Sequence, residues 1–129
     1  MAAHHPEDLH HLFVAGVNAH DVDALLALYE PDSTVADLEG HPLQGTATLR
    51  AFLLGFLAAV KQIDGGTRKV LVAGNIALLS STWRAVLATQ DGGMTSVMGT
   101  SAEVARRQPD GTWRFLIDDP QFVNVSPHA

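Results

Sequence analysis

Apolar positions in the first half of the chain recur at steps of three and four, whereas the second half breaks into β-rich runs separated by turn residues. Leu9, Leu12, Phe13, Gly16 and Val17 share one face of a helix that Pro6 can open, with Glu7 and Asp8 complementing the positive end of its dipole. Asp21 can cap a second, short helix that turns Val22, Leu25, Leu26 and Tyr29 inward and stops at Pro31. A short strand over residues 34–38 and a Gly40-His41-Pro42 turn lead to a third helix capped by Thr46. Its apolar set, Leu49, Phe52, Leu53, Phe56, Leu57 and Val60, is the most regular in the chain, and Asp64-Gly65-Gly66 ends it.

Strands are expected over residues 67–73, 76–89, 94–107 and 112–119, joined by hairpin-type turns at Gly74-Asn75, Asp91-Gly92-Gly93 and Pro109-Asp110-Gly111. Gly99 interrupts the third of these and is a candidate bulge. The pattern predicts one α+β domain over residues 1–129, with three N-terminal helices packed on a strongly curved antiparallel sheet.

Composition narrows the function. The chain has 129 residues, 47% of them hydrophobic, enough for a core without staples. With no cysteine, disulfides, thiolate nucleophiles and cysteine-ligated zinc are excluded. A net charge of −6 and scattered cations argue against nucleic acid, which is held by clustered positive charge. The longest apolar run, residues 51–60, is too short to span a bilayer, and no secretory leader is visible, so a cytoplasmic protein is expected. His4, His5, His10 and His11 cluster, but neighbours on a helix diverge by about 100°, so they read as surface residues and no metal site is expected. Neither a nucleophile elbow nor a phosphate-cradling glycine loop is present.

Two sets of motifs carry a family resemblance. Phe13-Val14-Ala15-Gly16-Val17-Asn18-Ala19-His20-Asp21-Val22-Asp23, Leu28-Tyr29-Glu30-Pro31-Asp32-Ser33-Thr34-Val35 and Gly45-Thr46 resemble the front half of ketosteroid-isomerase and SnoaL-like members of the nuclear-transport-factor-2-like superfamily. Ile76-Ala77-Leu78-Leu79-Ser80-Ser81-Thr82-Trp83, Arg106-Arg107-Gln108-Pro109-Asp110-Gly111-Thr112-Trp113-Arg114 and Ile117-Asp118-Asp119-Pro120 resemble calcium/calmodulin-kinase-association-like and uncharacterised members. The resemblance implies a cystatin-like cone around a small-molecule pocket, working without a cofactor.

Within that resemblance Asp37 matches the place of the general-base aspartate. A carboxylate in an apolar pocket loses hydration, which raises its pKa toward the working pH. The alternative is a solvated residue at a strand end. Ketosteroid isomerase adds a tyrosine and a protonated aspartate as oxyanion donors. Here the tyrosine position holds Phe13, which has no hydroxyl, and the aspartate position falls near Glu103, so steroid isomerisation is disfavoured. If Trp113, Phe115 and Ile117 share one strand face, Asp118 lies with Arg114 and Leu116 on the other, toward the cavity; alternatively Asp118 and Asp119 close the strand before Pro120. Trp83 either floors the pocket or packs in the core or an interface. The expected walls are Phe13, Val17, Phe52, Phe56, Trp83, Met98 and Leu116, with Asp37 as the polar focus and Asp118 beside it. Apolar residues on both sheet faces lead to an expected homodimer. The expected reaction is proton transfer on an apolar or ring-containing small molecule (isomerisation, cyclisation, dehydration or water addition). The alternative is a non-catalytic ligand-binding or association module.

Overall fold

A computed structural model describes residues 2–123. Helices α1 (Asp8–Asn18), α2 (Val22–Leu26) and α3 (Thr46–Ala59) pack on a seven-stranded sheet: β1 (Tyr29–Ala36), β2 (Pro42–Gln44), β3 (Val60–Ala73), β4 (Ile76–Ala88), β5 (Met94–Thr100), β6 (Ala102–Arg107) and β7 (Trp113–Asp119). Strand order is β2-β1-β7-β6-β4-β3, with β5 also on β4. The α+β cone expected from the sequence is the fold. The sheet is mixed rather than wholly antiparallel, because β1 returns beside β7 in parallel.

The core lies between the helices and the concave face. Leu9 and Val17 of α1, Leu25 of α2, and Leu49, Leu53 and Leu57 of α3 are buried against Ile63, Ala77, Leu79, Ala85, Ala105 and Phe115. Each large side chain fully removed from water contributes about 1.5–3 kcal/mol. Among the described residues no helix is long and apolar enough to cross a membrane.

Four local expectations are corrected. Tyr29 and Pro31 belong to β1 rather than to the end of α2, since pairing with β7 and β2 outweighs the local helical spacing. Gly45, not Thr46, precedes α3, and it makes no side-chain cap. Asp64-Gly65-Gly66 does not end α3: the helix stops at Ala59 and runs straight into β3, where these residues pair with Arg84, Trp83 and Thr82. A Cβ on Gly65 would stand 2.7 Å from the Thr82 carbonyl, so this glycine answers a close backbone approach. Gly99 is not a bulge either, and it keeps regular register opposite Trp83.

The expected strand over residues 94–107 divides at Ser101. Residues 76–79 of β4 pair with β6 and residues 82–88 with β5. Ser101 stitches the join: its Oγ accepts from Ser81 N at 2.8 Å, and its N–H donates to the Ser81 carbonyl at 2.8 Å.

Candidate functional site

A bulge in β7 sets the chemistry of the concave face. Phe115 pairs with Ala105 and Ile117 with Val104, leaving Leu116 without a partner. The extra residue breaks the two-residue alternation. Phe115 and Asp118 consequently both face inward, whereas Ile117 is 47% exposed on the outside.

They face a cavity of about 80 Å³. Phe13 and Val14 of α1, Phe52, Leu53 and Phe56 of α3, and Val35, Leu38, Ile63 and Phe115 give it apolar walls, and Trp83 closes one side. The Trp83 indole N–H donates to the Pro120 carbonyl at 2.7 Å, which fixes the ring's orientation. The polar lining is concentrated in six side chains: His10, Tyr29, Ser81, Ser101, Glu103 and Asp118.

Glu103 and Asp118 are direct cross-strand partners on β6 and β7, and both are buried. The Tyr29 hydroxyl donates to Asp118 Oδ2 at 2.6 Å. His10 Nε2 lies 2.9 Å from Glu103 Oε1, and its Nδ1 lies 2.5 Å from Thr67 Oγ1. Tyr29 packs tilted on Phe115 with ring centroids 5.2 Å apart. Burial first, and then the charge of Glu103, push the Asp118 carboxyl up to about 8, although the Tyr29 hydrogen bond pulls the other way. Burial, with the charge of Asp118 next, holds the Tyr29 hydroxyl well above its ordinary value, so it remains a donor.

Asp37 is elsewhere. β1 ends one residue before it, and the chain turns at once. Its Oδ1 accepts from the N–H groups of Glu39 and His41, both at 2.9 Å, and its Oδ2 lies 3.2 Å from His41 Nδ1. The His41 N–H, followed by that of Glu39, draws its pKa below the ordinary carboxylate range. Val35 and Leu38 reach the cavity on either side, and Asp37 does not. The inward carboxyl expected there is therefore corrected, because a short polar side chain at a strand end satisfies the turn's own amides. Asp37, Glu39 and His41 do bring three ligand-capable atoms within 4.8 Å of one another, but in an exposed turn where both Asp37 oxygens already have partners.

Of the other expected residues, Phe13, Phe52, Phe56, Trp83, Glu103 and Asp118 line the cavity. Val17 does not, being fully buried in the core. Leu116 does not, because the bulge gives its place to Phe115. Met98 is 61% exposed and lines a separate depression with Asp64, Thr82, Arg84 and Thr100. His10, expected on the surface, is buried against Glu103. It stands three residues before Phe13 and seven before Val17, so helical spacing alone carried the signal. Tyr29 was visible as an inward residue but not as a polar one, since its partner is 89 positions away.

A family model for the SnoaL-like domain matches residues 11–123. The chain belongs to the SnoaL-like domain family. A ketosteroid isomerase-like protein from Erwinia carotovora atroseptica SCRI1043 has a similar fold, with 16% identity, 88% of this chain and 89% of that chain covered, and a TM-score of 0.78. So does a protein with a cystatin-like fold from Caulobacter vibrioides, at 19% identity, 95% and 88% coverage and a TM-score of 0.72. A proposed dehydratase of the nuclear-transport-factor-2-like family from Streptomyces avermitilis gives 18%, 86% and 88%, and 0.71. At these identities the likeness is one of fold. No curated protein matches this SnoaL-like chain in sequence.

Proposed function

We propose that this SnoaL-like protein catalyses cofactor-free proton transfer on a small, mostly apolar molecule bound in the cavity. The observation carrying this reading is a pair of buried cross-strand carboxylates, Glu103 and Asp118, at the polar end of an otherwise apolar chamber. Two like charges so placed push their proton affinities apart, and one group keeps a proton at neutral pH while the other does not. An acid and a base then stand side by side. One carboxylate takes a proton from a guest carbon as its neighbour gives one to a guest oxygen. Passage of a proton across the ladder restores both, so nothing is consumed.

The volume limits the guest. A cavity of roughly 150 Å³ accommodates benzene, and about 80 Å³ is near half of that. A compact guest fits directly, and a ring enters only if the half-buried Phe13, Phe52 or Phe56 swings aside. Steroid-sized guests do not fit this conformation.

We propose further that the protein is a homodimer joined through the outer sheet face. Leu71, Leu78, Val104 and Ile117 are successive cross-strand partners on β3, β4, β6 and β7. They form one apolar row, with Leu71, Leu78 and Ile117 about half exposed. Such a contiguous strip is covered in stable assemblies.

The catalytic reading is tested by incubating a panel of small ketones and β-hydroxy ketones with the protein in deuterium oxide and following deuterium uptake by mass spectrometry. Uptake accelerated by the wild type and abolished in Glu103→Gln and in Asp118→Asn, with the folded state intact, supports it. Equal uptake in wild type and the double variant across the panel refutes it, and binding without exchange assigns the cavity to a receptor.

A further inference from the structure

Glu103 and Asp118 are neighbours in one chamber, yet their partners differ. Asp118 has a hydroxyl, which donates one hydrogen bond and carries no charge. Glu103 has an imidazole, whose Nε2–H can donate whether or not the ring is cationic. At the other nitrogen, Thr67 Oγ1 accepts from Nδ1–H or donates to a bare Nδ1, so both ring nitrogens are held. Asp119, beside Asp118 on β7, acts in the same sense, since its charge also favours a proton on Asp118. α3 presents only apolar side chains to the cavity, Ser81 and Ser101 are uncharged, and Thr67 of β3 reaches only the far nitrogen of His10. Among the described residues no lysine or arginine lines the cavity.

We propose that His10 is a positioning residue that holds the negative charge on Glu103 and so leaves the proton on Asp118, making Glu103 the base and Asp118 the acid. The inference rests on the reading of the cavity as a proton-transfer site, and it assigns the roles within it. Because Tyr29 donates to Oδ2, the acidic proton sits on Asp118 Oδ1, the oxygen free to address a guest. The ladder keeps the two groups adjacent, and the helix sets which one is charged.

The test reads protonation directly and needs no substrate. In the wild type, long-range ¹⁵N–¹H correlation of the histidine rings is expected to show His10 Nε2 protonated throughout the neutral range. Carboxyl ¹³C spectra are expected to show Glu103 ionised near neutral pH and Asp118 protonated until about pH 8. A bare Nε2, or a proton on Glu103 with Asp118 ionised, overturns the assignment. In His10→Leu, which removes the donor toward Glu103, the protonated carboxyl signal is expected to move from Asp118 toward Glu103. A signal that stays on Asp118 overturns the role of His10. Should this variant fail to fold, the two wild-type spectra decide alone. Failure here leaves deuterium exchange standing, and absent exchange leaves the proton assignment standing.

Discussion

Replacing Asp118 by asparagine exposes the energetic burden of the buried carboxyl. Asparagine keeps the shape and an oxygen to accept from Tyr29, and its amide can donate toward Glu103. What disappears is the titration. In the folded chain Asp118 holds its proton up to about pH 8, whereas its ordinary value is 3.8. Between those values the native state binds more protons than the unfolded state, so the contribution is fully present below the lower value and is lost as pH rises toward the upper one. From about pH 4.5 to about pH 7.5, three units at ~1.4 kcal/mol each give a loss on the order of 4 kcal/mol. The other carboxylates occur in both proteins and largely cancel in the difference. Urea denaturation of wild type and Asp118→Asn across that range checks it. With a slope of about 2 kcal/mol/M, the gap between midpoints is expected to change by about 2 M in favour of the variant. Parallel midpoint-versus-pH curves would mean that Asp118 is not desolvated as described.

The other expectations concern residues around the site. Asp37→Ala is expected to lower the melting temperature by loosening the Asp37–His41 turn while leaving deuterium exchange unchanged; loss of exchange in a folded variant would return Asp37 to the site. Gly99→Ala places a Cβ 2.8 Å from both the Pro120 carbonyl and Trp83 Nε1, and thermal denaturation is expected to show a loss of about 1–3 kcal/mol. Arg106 donates twice to the buried Glu30, at 2.8 and 2.6 Å, and these bonds hold Glu30 below its ordinary 4.5. Arg106 is half exposed, so Arg106→Ala is expected to lower the melting temperature only modestly at neutral pH. Because the Glu30 pKa is depressed, that difference fades as acid protonates the carboxyl, and a gap independent of pH contradicts the ion pair. Leu78→Lys is expected to halve the solution mass measured by light scattering, and an unchanged dimer mass moves the interface off the outer sheet face.

Periodicity along the chain determined the helical layer, the positions of most strands and the apolar walls drawn from Phe13, Phe52 and Phe56, because each of these is a local property of spacing. The motifs from Phe13 to Pro120 carried the family. The polar end of the cavity was decided only in three dimensions. Asp37 was misplaced because a turn's appetite for a side-chain acceptor depends on which amides close it, here those of Glu39 and His41. Asp118 was reached by an alternation that the bulge at Leu116 interrupts, so its inward position and the outward position of Ile117 follow from the pairing of β7 with β6. His10 and Tyr29 meet partners 93 and 89 residues away. No spacing rule reaches that far. Register between distant strands is fixed by packing the whole sheet against its helices, and that packing selects which carboxylates share the cavity.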